Sequence, residues 1–233
     1  MTPSETKFPF SLVDLTHTIE ESSPTWDANC GFFLETKKDY RDASSAVRFR
    51  VQSFHMNAGI GTHLDAPAHC IQGGCTIDQI PLSHLLARCV VIDVSKKADE
   101  NYQVSCEDVA LFEKEYGLIS KESFVMVKTG WERFWEEPET YRNNYKFPTL
   151  SADTAQMLLE RNIVGIGIDT LSPDRASDGF PVHKFMLGAG KYIVENAANL
   201  NFLPPIGSFI LTLPIKVKEA TEAPVRLVGF VPT

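Results

Sequence analysis

The chain lacks a basic excess, a long apolar run and any paired-cysteine spacing. Its 233 residues carry 22 Lys and Arg against 30 Asp and Glu, a formal net charge of −8. That balance argues for solubility and against a nucleic-acid footprint. No apolar run approaches the roughly 20 residues that a membrane-crossing helix needs. Met1 to Phe10 has no basic stretch followed by a long apolar one, so no secretory signal is expected. The five cysteines (Cys30, Cys70, Cys75, Cys89, Cys106) are odd in number and irregularly spaced, with no Cys-x-x-Cys pair. They read as reduced thiols in a cytoplasmic protein. Gly-x-x-x-x-Gly-Lys-Ser/Thr, a helix-opening Gly-x-Gly-x-x-Gly and Gly-x-Ser-x-Gly are all missing. These absences count against phosphoryl transfer and a serine hydrolase of the elbow type.

What is present is an ordinary globular composition, 43% hydrophobic. No repeat, heptad run or low-complexity linker divides the chain, so one mixed α/β domain over 1–233 is expected. Strands are predicted near Leu12–Leu15, Cys89–Val94, Ser123–Lys128, Ile163–Ile168 and Tyr192–Glu195. Phe209–Val217 and Val225–Val231 are two more. Val47–Phe54 alternates apolar with polar and reads as a half-buried strand. Ile80–Leu86 reads as a short helix, Trp131–Lys146 as partly helical, and Lys184–Leu187 as ambiguous. Ser105 with Asp108 forms an N-cap pattern, and Gly117 stands where that helix would stop. Ser151 caps a second helix running through Arg161.

One segment concentrates chemistry. Gly61-Thr62-His63-Leu64-Asp65-Ala66-Pro67-Ala68-His69 places two imidazoles and a carboxylate within seven residues. Nitrogen and oxygen donors of this kind suit a divalent ion such as Zn²⁺ or Mn²⁺. In an extended strand His63, Asp65 and His69 share one face, and Pro67 bends or ends that strand. Further along, His183 and Glu195 flank a glycine-containing segment, Met186 to Gly190. Their spacing alone leaves an exposed pair equally open. Cys70 and Cys75 lie near the motif, as ligands or, by preference, packing. Trp26 beside Pro24 can stack on a ligand or pack. Asp169, at the end of an apolar strand, is a functional acid or a loop cap. His17, His55 and His84 show no partner pattern and read as structural.

The motif resembles that of the cyclase-like metal-dependent hydrolases, a family that includes bacterial kynurenine formamidases and isatin hydrolases. Their hallmark is His-x-Gly-Thr-His-x-Asp-x-Pro-x-His. Gly61, Thr62, His63, Asp65, Pro67 and His69 match it in register. Thr129-Gly130-Trp131, Gly167-Ile168-Asp169-Thr170 and Glu195-Asn196 match recurrent segments. The resemblance implies a swivelling β/β/α fold, a homodimer or homotetramer, and hydrolysis of an amide or lactam carbonyl. It also implies metal ligands His63, Asp65, His183 and Glu195, an acid/base role for His69, and substrate contact by Trp26. In the dinuclear formamidases the Asp and Glu bridge two ions.

One position departs: the first His of the hallmark would fall at 59, where this chain has Gly59. That loss points to about one tightly held ion per chain. Asn57, of the same strand parity, is the side chain that could reach in. The leading reading is a small-molecule hydrolase of the arylformamidase type, acting on an N-formylkynurenine-like substrate in tryptophan catabolism. The rivals are an isatin hydrolase-like lactam hydrolase and a non-catalytic binding protein on the same scaffold.

Overall fold

The computed structural model describes residues 8–42 and 47–233. In chain order its strands are β1 (Phe10–Asp14), β2 (Phe32–Lys38), β3 (Val51–Met56), β4 (His63–Asp65), β5 (Leu86–Asp93) and β6 (Gln103–Val104). They continue with β7 (Ser123–Lys128), β8 (Thr149–Leu150), β9 (Gly165–Ile168), β10 (Tyr192–Glu195), β11 (Ser208–Pro214) and β12 (Glu222–Pro232). The helices are α1 (Leu82–Leu85), α2 (Cys106–Tyr116), α3 (Pro138–Arg142), α4 (Ala152–Glu160) and α5 (Pro181–Gly188).

Eight strands pair in the order β1-β12-β11-β5-β7-β9-β10-β4, and β12 also pairs with β4. That last pairing closes the sheet into a mixed barrel, with β1 laid along β12. The run β5-β7-β9-β10 is parallel, and the remaining ladders of this sheet are antiparallel. Strand periodicity sorts the core into two parts. On β7, Phe124 and Met126 join Leu64, Val194 and Leu227 inside the barrel. Val125 and Val127 face outward, onto a layer that includes α2, α4 and α5 through Val109, Leu158 and Val182. Each such side chain contributes on the order of 1.5–3 kcal/mol when fully buried. The bulk of Phe124 and Met126 is accommodated by β9: a Cβ on Gly167 would lie 2.7 Å from Met126 Cε, and one on Gly165 2.6 Å from the Tyr192 carbonyl oxygen.

The caps follow the sequence. Ser105 and Asp108 form a reciprocal capping box, and Gly117 ends α2 at φ 90°. Ser151 accepts from the Thr154 amide at the start of α4. Lys184–Leu187 resolves as helix, within α5.

Two expectations are corrected. Val47–Phe54 is not half-buried: only Val51–Met56 is strand, and it pairs with β2 in a separate two-stranded arm. Phe49 and Phe54 are 64% and 60% exposed, so the alternation there marks no core face. The strand carrying the motif also stops early. Pro67–His69 is a 3-10 turn, so His69 is placed by that turn and not by strand parity.

Candidate metal centre

Three neighbouring strands present acids and an imidazole on one face. Leu64 points into the barrel, so His63 and Asp65 on either side of it point out. Across the β4–β10 ladder Glu195 stands opposite His63, and across the β4–β12 ladder Glu222 stands opposite Asp65. Directly opposed residues share a face. Helix α5 adds His183.

The four expected ligands meet there. His63 Nε2 lies 3.5 Å from Asp65 Oδ1 and 3.4 Å from Glu195 Oε2. His183 Nε2 lies 3.5 Å from Asp65 Oδ2 and 3.4 Å from Glu195 Oε1. Each carboxylate therefore offers one oxygen to each imidazole. The arrangement forms two half-sites, one at each imidazole, that share both acids. His69 is also near: one ligand atom each from Asp65, His69 and His183 lie within 4.8 Å of one another.

Second partners fix both rings. His63 Nδ1 is 2.9 Å from the Gly61 carbonyl oxygen and donates to it, which turns Nε2 toward the carboxylates. The Gly61 oxygen also accepts from Asn196 Nδ2, and Asn196 Oδ1 accepts from the Tyr141 hydroxyl. His183 Nδ1 is 2.7 Å from Asp174 Oδ2. Asp174 was not singled out by the sequence; nine residues from its histidine, it carries no motif. Asp169 proves to be a loop cap. It accepts from the amides of Thr129, Gly130 and Trp131 and from the Thr129 hydroxyl.

The donor set fits a divalent ion. Ligands bound to one ion at ~2.0–2.2 Å in a tetrahedral arrangement stand about 3.3–3.6 Å apart, and each imidazole Nε2 lies 3.4–3.5 Å from its two carboxylate oxygens. Asp65 Oδ1 is buried without a hydrogen-bond partner, a costly state that an ion would relieve. Burial opposes charge on His63, yet Asp65 and Glu195 outweigh it and raise its pKa to about 10. His183 is likewise held well above the usual imidazole range: burial opposes its charge, but Asp174, Asp65 and Glu195 prevail. Burial alone would raise Asp65, but the two imidazoles hold it low. In the ion-free protein protons thus neutralise the acids, and a metal would displace them.

The centre opens into a cavity of about 930 Å³. Trp26 and Phe180 line it, 5.8 Å apart between ring centroids. Trp26 also packs on Tyr145 at 4.6 Å, so it both packs and faces the cavity. Phe180, which the sequence did not mark, adopts φ 58° just before α5 and sits edge-on to His183. Cys70 lines the same space, as does Asn57. Cys75 points away, toward the Thr76 carbonyl. His17 packs flat on Trp135.

The Cyclase family model, described as "Putative cyclase", matches residues 13–175. The chain therefore belongs to the cyclase family. An isatin hydrolase from Roseibium aggregatum is 29% identical over 188 residues, covering 74% of this chain and 71% of that one. A kynurenine formamidase from Paracidovorax citrulli is 27% identical over 179 residues, covering 76% and 78%. Among solved structures, isatin hydrolase A from Labrenzia aggregata superposes with a TM-score of 0.86 at 28% identity, covering 97% of this chain and 95% of that one. A structure described as a potential metal-dependent hydrolase with cyclase activity gives 0.78 at 26% identity, covering 96% and 99%. The chain is a cyclase-family metal-dependent hydrolase with the single-domain α/β fold of that group.

Proposed function

We propose that this protein hydrolyses the C–N bond of an aromatic amide or lactam at the centre formed by His63, Asp65, His183 and Glu195. The observation that carries the reading is the pair of imidazoles joined through two shared carboxylates at 3.4–3.5 Å. Those four side chains would hold Zn²⁺ or Mn²⁺, which when bound lowers the pKa of water and polarises a carbonyl. His69 stands at the rim of the same centre, partly exposed, and serves as acid and base. It takes a proton as water adds to the carbonyl carbon, then gives it to the leaving nitrogen as the C–N bond breaks. Trp26 and Phe180 supply aromatic faces for a planar ring.

Two substrates represent the class: isatin, a lactam, and N-formylkynurenine, an aryl formamide. Relatives named for each of these activities support both. The wide cavity favours no narrower choice. A binding-only role on this scaffold is disfavoured because all four ligands and His69 remain together. Assaying isatin, N-formylkynurenine and simple formyl-anilides with either metal added decides the matter. Turnover of one of them supports the proposal, and binding without turnover supports the rival.

We further propose a cytoplasmic homo-oligomer. No helix among the described residues is long and apolar enough to cross a membrane. The arm of β2 and β3 exposes Leu34 and Phe54, cross-strand neighbours on one face, apolar surface suited to a second copy.

A further inference from the structure

Gly59 has no conformational reason to be glycine. It is absent from the positive-φ glycines, so an L-residue could take its backbone. Space is the constraint: a Cβ there would lie 2.8 Å from Glu222 Oε2 and 3.2 Å from Glu222 Cδ. The glycine makes room for a carboxylate that arrives from the far side, on β12.

That carboxylate is costly where it stands. The Glu222 side chain is 25% exposed and lines the same cavity as His63, Asp65 and Glu195. Among the described residues its one close polar partner is His69, whose Nδ1 lies 3.3 Å from Oε2. Oε1 has none. Glu222 is directly opposite Asp65 across the β4–β12 ladder, on the ligand face. A third acid beside two already shared ones raises the local negative charge, which a bound cation would offset.

We propose that Glu222 is a ligand of this centre, completing the half-site of His63, Asp65 and Glu195 through the space left by Gly59. The inference rests on the metal-centre reading above and adds a residue to it. The half-site then has four protein ligands: one imidazole and three carboxylates. His69, 3.3 Å from Oε2, is oriented by the same residue.

The test is metal binding, with no substrate present. Chelated protein is titrated with Zn²⁺ and, separately, Mn²⁺ by calorimetry, with elemental analysis after dialysis. Unaltered protein is expected to bind two ions per chain. Glu222→Gln is expected to weaken one of them by at least about 10-fold and leave the other unchanged, the scale seen even for residues that only support ligands. Gly59→His with Glu222→Ala moves the ligand from position 222 to position 59 and is expected to restore the lost ion, whereas Glu222→Ala alone is not. Thermal melts of each variant without metal report folding. The proposal is overturned if Glu222→Gln, folded, binds both ions with unaltered affinity, or if the double variant binds no better than Glu222→Ala. Failure of unaltered protein to bind any metal would instead overturn the reading on which the proposal rests.

Discussion

Asp174 holds His183 at two points: Oδ2 accepts from the backbone amide at 2.8 Å and lies 2.7 Å from the ring Nδ1. The same carboxylate, through Oδ1, accepts from the Val182 amide at 2.9 Å and so caps α5. One acid thus starts the helix and aims its imidazole. Asp174→Asn keeps the size but offers one oxygen acceptor. We expect metal affinity at the His183 half-site to fall roughly 10–100-fold, measured by titrating chelated protein, while the His63 half-site is unaffected. Equal weakening of both half-sites would mean that Asp174 supports the whole fold and not one ring.

His69 and His63 make opposite predictions. His69→Ala is expected to lose about 10²–10⁴-fold in turnover on whichever substrate is found, with metal retained. His63→Ala is expected to lose metal. The proximity of His69 to Asp65 and His183 makes the contrast informative. If His69→Ala sheds metal as readily as His63→Ala, then His69 is a ligand and the acid/base assignment is wrong.

The half-buried ring of His17 gives the fold an acid sensitivity that does not depend on metal. It stacks on Trp135 with centroids 3.9 Å apart and planes 8° apart, and burial lowers its pKa from 6.5 to about 4. Between those two values the unfolded chain binds a proton that the folded one refuses. Stability therefore rises with pH across that window, and this contribution is lost as pH falls from 6.5 through 4. Thermal melts of chelated protein at pH 7 and pH 5 should show a smaller loss for His17→Gln than for the unaltered chain. An identical loss in both would assign the sensitivity elsewhere.

Gly165 tests the barrel interior. Its absent Cβ would sit 2.6 Å from the Tyr192 carbonyl oxygen, a backbone atom of the neighbouring strand that has nowhere to go. Gly165→Ala is expected to cost roughly 1–3 kcal/mol as overpacking, read as a melting temperature several degrees lower. A melting temperature within one degree would show that β9 and β10 separate easily.

The sequence made the strands with continuous apolar runs legible, β5, β7 and β9, because buried parallel strands need both faces apolar. It made His63 and Asp65 legible through motif and parity. Val47–Phe54 was misread because alternation records two chemically different faces and not burial: Phe49 and Val51 are apolar and exposed. Asp174 and Glu222 were invisible for a different reason. Each acts through a pairing that only the folded chain creates, Glu222 with Asp65 across 157 residues of sequence and Asp174 with a ring at the start of α5. Gly59 was legible as a loss; the carboxylate filling its space was not.

The most direct test is hydrolysis of isatin and N-formylkynurenine by chelated protein as Zn²⁺ or Mn²⁺ is added back, with bound metal counted at each step. No turnover is expected without metal, and turnover of at least one substrate is expected to rise in proportion to metal bound at the His63–Asp65–Glu195–His183 centre. Turnover that survives complete removal of metal, or full metal loading with no turnover of either substrate or of any formyl-anilide, would contradict this expectation.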